Sequence, residues 1–274
     1  MMKTDSLLRN AYFASVVALA CAFPALPSAA AETKMVTLKV RGDARQRILI
    51  LRPDGPPKAS VVLYPGGPGN IELKADGTIE APGNFLVRSR EHFAAEGFLA
   101  AVVDRPSDWA GSDSERYRMT PAHVEDAAAI AGVLRQEAPA PVWFVGTSRG
   151  TISVANIASR LGGDKIAGIV LTSSVTNPGK KSQQAVPDAD LANIAVPVLI
   201  MGHGGDDCYV TPWSEQEALA KRFKNAAAIE AIRIDGGDQG NLHDACGPFS
   251  HHGFLGQEKE VVAKIAAWIR GHLR

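Results

Sequence analysis

The chain has 274 residues, 46% of them hydrophobic, and its 29 lysines and arginines balance 29 aspartates and glutamates. That length and apolar content suffice for one sizeable buried core, and the charge balance excludes the basic excess of a nucleic-acid-binding domain. No Cys-x-x-Cys or His-Glu-x-x-His pattern occurs, and Gly66-Gly-Pro-Gly69 lacks the Lys-Ser/Thr of a phosphate loop, so neither a metal nor a nucleotide cofactor is implied.

Residues 1–31 read as a leader. Lys3 and Arg9 precede an uncharged apolar run over 11–23, which is followed by Pro24, Pro27 and the small residues Ser28, Ala29, Ala30 and Ala31. This is the pattern of a secretory signal peptide cut before Glu32, and the run is shorter than the roughly 20 residues a spanning helix needs. Leu19-Ala20-Cys21 looks like part of a lipoprotein box, so lipid anchoring at Cys21 is the alternative, although Ala18 stands where a larger aliphatic residue is usual. The expectation is an exported chain, periplasmic or extracellular, with one domain over 32–274 and no stable membrane association. Oligomeric state is not legible.

Strands are predicted at 36–40 and 48–51, and their short connection implies an antiparallel hairpin at one sheet edge. A third run at 60–64 enters Pro65-Gly66-Gly67-Pro68-Gly69. A helix over 85–96, a strand at 98–103, a helix over 121–137 and a strand at 142–145 follow. Then comes Gly146-Thr147-Ser148-Arg149-Gly150, and a helical stretch over 151–161. A G-x-S-x-G turn between a strand and a helix has a mechanical reason: its glycines leave room for a strained turn that lifts the serine oxygen clear of the sheet at a helix N-terminus. Ser148 is therefore a candidate nucleophile.

Beyond it, a strand at 166–171 and a short buried strand at 196–201 lead into His203-Gly-Gly-Asp206-Asp207-Cys208. A helix over 214–224 and a β-branched strand at 228–234 precede a loop with His243, His251 and His252, and a final helix covers 257–270. Serine, acid and histidine thus appear in the chain order of a strand-end catalytic triad. Asp206 and Asp207 compete for the acid; His252 directly precedes Gly253-Phe254 and the last helix, with His251 and then His243 behind it. His92, His123 and His203 read as structural or solvated. In such a sheet the loop after the third strand supplies a backbone N–H to a developing oxyanion, and the prolines flanking it leave Gly67, paired with the N–H of Arg149. Cys208 and Cys246 remain after the leader, and in an oxidising compartment they are expected to form a disulfide that clamps the acid loop to the histidine loop.

Pro65-Gly-Gly67, Gly146-Thr-Ser-Arg-Gly150, His203-Gly-Gly-Asp206 and His252-Gly-Phe254, in this order and each after a strand, resemble the α/β-hydrolase superfamily over the chain from about Val36 onward. The acid loop with Cys208, together with Cys246 and His252, is similar to a group of exported bacterial members. The resemblance implies an α/β fold with a mostly parallel central sheet of about eight strands flanked by helices, and it places the acid at Asp206. The function it implies is a cofactor-independent serine hydrolase acting on a carboxylic ester through an acyl-enzyme. Amide, peptide or thioester cleavage would use the same residues, and an inactive binding protein would keep the same fold. The two dozen or so residues between the strands ending at 171 and beginning at 196 include Asn177, Lys180, Lys181, Ser182, Gln183 and Gln184, too few and too polar for a large hydrophobic lid. A rim drawn from 70–90 and 105–120, with Trp109, Tyr117, Tyr209 and Trp213, favours a small or polar substrate, and Arg149 could favour an anionic one.

Overall fold

A computed structural model describes residues 32–109, 114–180, 182–241 and 243–273. The proposed leader, with Cys21, lies outside the described residues, as does Lys181. Eight strands form one sheet: β1 (Thr33–Arg41), β2 (Ala44–Leu51), β3 (Ala59–Tyr64), β4 (Phe98–Val103), β5 (Val142–Thr147), β6 (Gly168–Thr172), β7 (Val198–His203) and β8 (Ile229–Ile234). Their order is β1-β2-β4-β3-β5-β6-β7-β8. β1 pairs antiparallel with β2, which pairs antiparallel with β4; every pairing from β4 to β8 is parallel.

Parallel strands need crossover connections, and these put helices on both faces. One face is covered by α4 (Pro121–Glu137), α5 (Gly150–Leu161) and α6 (Trp213–Ala220), which bury Ile130, Ile157 and Leu219 against Val62, Phe144 and Ile200. The other carries α1 (Phe85–Arg88), α2 (Arg90–Ala95) and α7 (Glu258–Gly271), which bury Phe85, Phe93 and Ile265 against Val61, Leu63 and Val145. Successive strand residues thus belong to opposite cores, as the two-residue side-chain period requires. A short helix, α3 (Ser114–Arg118), precedes α4. Between β6 and β7 the described residues hold only two single-turn 3₁₀ helices, Val186–Asp188 and Leu191–Asn193. Among the described residues no helix is long and apolar enough to cross a membrane.

The structure departs from the expected elements in three places. The helix expected over 85–96 is two, α1 and α2, because the backbone at Ser89 (φ −93°, ψ 0°) leaves helical geometry. The one expected over 214–224 ends at Ala220 in tight turns, with the Arg222 N–H on the Leu219 carbonyl. α3 has no counterpart in the sequence reading, since Ser-Glu-Arg-Tyr-Arg shows no apolar period.

Candidate active site

The turn from β5 into α5 has Ser148 at φ +51°, a left-handed conformation that non-glycine residues adopt only when the surroundings hold them there. The flanking glycines have identifiable reasons. A β-carbon on Gly150 would lie 2.1 Å from the Tyr64 carbonyl oxygen of β3, and one on Gly146 would lie 2.5 Å from the Gly150 carbonyl oxygen. The turn is also tied to its neighbour strand: the Ser148 N–H donates to the Thr172 carbonyl at 2.9 Å. Arg149 follows as the N-cap of α5.

Of the two candidate acids, Asp206 is buried and Asp207 is exposed. Asp206 Oδ2 accepts from His252 Nδ1 at 3.0 Å and from the Thr211 hydroxyl at 2.8 Å, while its Oδ1 accepts from the Cys208 N–H at 3.0 Å. That acid fixes the histidine tautomer: with Nδ1 carrying the proton, Nε2 is left as an acceptor. His252 is buried, and its carbonyl accepts from the Ser173 hydroxyl at 2.9 Å. His251 turns the other way, its Nδ1 bonded to the Gly205 carbonyl at 3.0 Å and its ring stacked 4.1 Å from that of His203. His203 is occupied on both ring nitrogens, by Gly236 O and the Gly205 N–H, and burial holds its imidazole below its ordinary value. His243 is exposed.

Cys208 and Cys246 are bonded, with 4.6 Å between their α-carbons, and join the acid loop to the histidine loop. Asp206, Cys208 and His252 are clustered closely enough to suggest a metal site. Their donors are already engaged, since the Cys208 sulfur is in the disulfide and both Asp206 oxygens accept hydrogen bonds.

Ser148 and His252 open into one cavity of about 320 Å³, which Gly66, Gly67, Asn84, Ile71, Phe85 and Cys246 also line. Gly67 has φ +58°, and its N–H has no acceptor among the described residues. The loop 65–69 is held from below by the buried Arg118, whose Nη2 donates to the carbonyls of Pro65 and Gly67, each at 3.1 Å, and whose Nη1 donates to Ser153 Oγ at 2.7 Å. Sequence reasoning missed Asn84, Arg118, Ser173 and Thr211. They carry no motif, and only the fold brings them to the site. Of the expected rim, the segment 70–90 does line the cavity, through Asn70, Ile71, Ala81, Gly83, Asn84 and Phe85, whereas none of Trp109, Tyr117, Tyr209 and Trp213 does. Tyr117 is buried instead, with its hydroxyl on the Asp126 carboxylate.

No protein-family model matches the chain, and no curated protein matches it in sequence. Solved structures do resemble it. A cold-adapted esterase from an Arctic intertidal metagenomic library superposes with a TM-score of 0.61 and 15% identity, covering 89% of this chain and 95% of that one. Dienelactone hydrolase from Anabaena variabilis gives a TM-score of 0.60 at 15% identity, covering 90% of this chain and 100% of that one. The thermostable carboxylesterase EstE1, cloned from a metagenomic library, gives 0.59 at 19% identity, covering 91% and 92%. With the strand order, the serine turn, the acid just after β7 and the histidine in the loop between β8 and α7, these likenesses show that the protein has the α/β-hydrolase fold.

Proposed function

We propose that the protein is a serine hydrolase that cleaves a carboxylic ester through an acyl-enzyme on Ser148. The observation that carries this reading is the left-handed Ser148 sharing a cavity with His252, whose Nδ1 is bonded to the buried Asp206. His252 Nε2 takes the proton from Ser148 Oγ as that oxygen bonds to the ester carbonyl carbon, and the N–H groups of Gly67 and Arg149 receive the oxyanion. The carbonyl reforms as the bond to the alcohol oxygen breaks, and His252 delivers the proton to that leaving group. Water then repeats the sequence on the acyl-enzyme, and the acid departs with Ser148 restored. Asp206 keeps the imidazole oriented and stabilises the imidazolium.

A small or polar substrate fits best. The cavity is bounded by loops rather than by a hydrophobic cap, and at Asn70 it meets a cleft of about 420 Å³ in which Arg45, Arg47, Lys74 and Arg105 are mixed with Glu72 and Asp104. The disulfide supports export to an oxidising compartment, with residues 1–31 as the leader and a single domain after it. The test is intact-mass spectrometry after exposure to a fluorophosphonate. A single adduct is expected in the wild type and none in Ser148→Ala, with ester turnover lost in parallel; labelling of both, or of neither, contradicts the reading.

A further inference from the structure

We propose that the side-chain amide of Asn84 is a third donor to the oxyanion, completing the pair formed by the Gly67 and Arg149 backbone N–H groups. This rests on the serine-hydrolase reading and adds to it a catalytic residue that no motif marks.

The amide orientation is fixed by a hydrogen bond. Asn84 caps α1, its Oδ1 accepting from the Leu86 N–H at 3.1 Å. An acceptor is needed there, so Oδ1 faces the helix and Nδ2 is turned to the other side. That side is the catalytic cavity, which Asn84 lines together with Gly66, Gly67, Ser148 and His252. Space at Gly66 brings the groups together. A β-carbon at Gly66 would fall 2.9 Å from Ser148 Cβ, 3.0 Å from the Thr147 carbonyl oxygen and 3.2 Å from Asn84 Nδ2. The amide nitrogen and the base of the nucleophile therefore flank a single point that any larger residue would fill. Among the described residues no acceptor is bonded to Nδ2, so its N–H bonds are available to a ligand.

Asn84 is also held on the same frame as the histidine. Arg88 donates from Nη1 to the carbonyl of Gly83, just before Asn84, and from Nη2 to the carbonyl of Gly253, just after His252, each at 2.6 Å. Its Nε is bonded to Glu258 at 2.8 Å, and Phe85 packs 5.0 Å from Phe254, centroid to centroid. A donor fixed in this way needs no reorganisation as charge develops, which is what makes oxyanion hydrogen bonds effective. Because an amide donor is neutral, it favours the oxyanion over a neutral ground-state carbonyl without repelling either.

The test separates the amide from the cap. Ser at position 84 keeps an oxygen to cap α1 but has no amide to reach the cavity, so Asn84→Ser should fold as the wild type does, by thermal unfolding and circular dichroism. For p-nitrophenyl acetate its kcat/KM is expected to fall about 100-fold, in line with removal of one oxyanion donor, while KM changes by less than about threefold. Asn84→Asp also keeps the cap but puts an anion beside the oxyanion, and should fall further. The loss should be the same for the methyl ester, since an oxyanion contact is indifferent to the leaving group. A folded Asn84→Ser with kcat/KM within about threefold of wild type overturns the proposal, and so does a loss confined to the poorer leaving group. In either case Ser148→Ala remains inactive and the serine-hydrolase reading stands. A wild type that neither turns over these esters nor labels with a fluorophosphonate overturns that reading and this one together.

Discussion

Arg118 illustrates how much of the site depends on single side chains outside the triad. A guanidinium offers five donors in a fixed fork, and here three of its hydrogen bonds go to the Pro65 and Gly67 carbonyls and the Ser153 hydroxyl. The carbonyls that it holds belong to the peptides on either side of the one that carries the Gly67 N–H, so its removal frees that peptide to rotate the N–H away from the cavity. Arg118→Met would leave two buried carbonyls without a donor, at a cost of about 1–3 kcal/mol each. We expect it to lower kcat at least tenfold with a smaller change in KM, and to lower the urea midpoint. Arg118→Lys, which keeps the charge but not the fork, should fall between the two. Full activity in a folded Arg118→Met would show that the loop holds itself. None of this was visible in the sequence, where Arg118 ends a short charged stretch with no period.

At the scale of elements, what was legible was what repeats or strains locally. The buried strands read as apolar runs, the hairpin from its short connection, and the serine turn from its two glycines. Asp206 against Asp207, and His252 against His251, needed the fold, because neighbouring residues differ there only in which side of a loop they face. The break at Ser89 was illegible as well, since the run over 85–96 holds no proline or glycine to mark it. The disulfide acts at this scale too. It closes a loop of 38 residues, for which chain entropy gives about 4 kcal/mol. It also holds Cys208, whose N–H is bonded to Asp206, and Cys246, which lines the cavity. The Cys208→Ala/Cys246→Ala variant should therefore lose stability on that order in urea titration and also lose kcat at temperatures where it remains folded. Unchanged kcat in the folded variant would limit the bond to a stabilising role.

For the whole molecule, the response to acid follows from a group away from the chemistry. His123 is buried at the start of α4 between the rings of Tyr64 and Tyr117, with centroids at 5.4 Å and 4.5 Å, and neither ring nitrogen has a hydrogen-bond partner among the described residues. Burial, reinforced by the charges of Arg118 and Arg41, pushes its imidazole down to about 3. In the unfolded chain a histidine takes up its proton near pH 6.5. Between these values the unfolded state binds the extra proton, so stability falls as pH falls through the window, and the contribution is absent above it. The slope approaches about 1.4 kcal/mol per pH unit in mid-window. His123→Phe keeps the ring contacts, gives up no hydrogen bond and removes the titration. Its unfolding free energy, measured in urea from pH 7 to pH 4, should diverge from that of the wild type in its favour as the pH drops, whereas shared carboxylate titrations cancel in the difference. A difference that stays flat over that range would mean that the imidazole is protonated in place. His123 packs beside Tyr64, and the Tyr64 carbonyl abuts Gly150, so opening at this position is expected to disturb the serine turn. Activity lost irreversibly on acid exposure should then be protected by the same substitution.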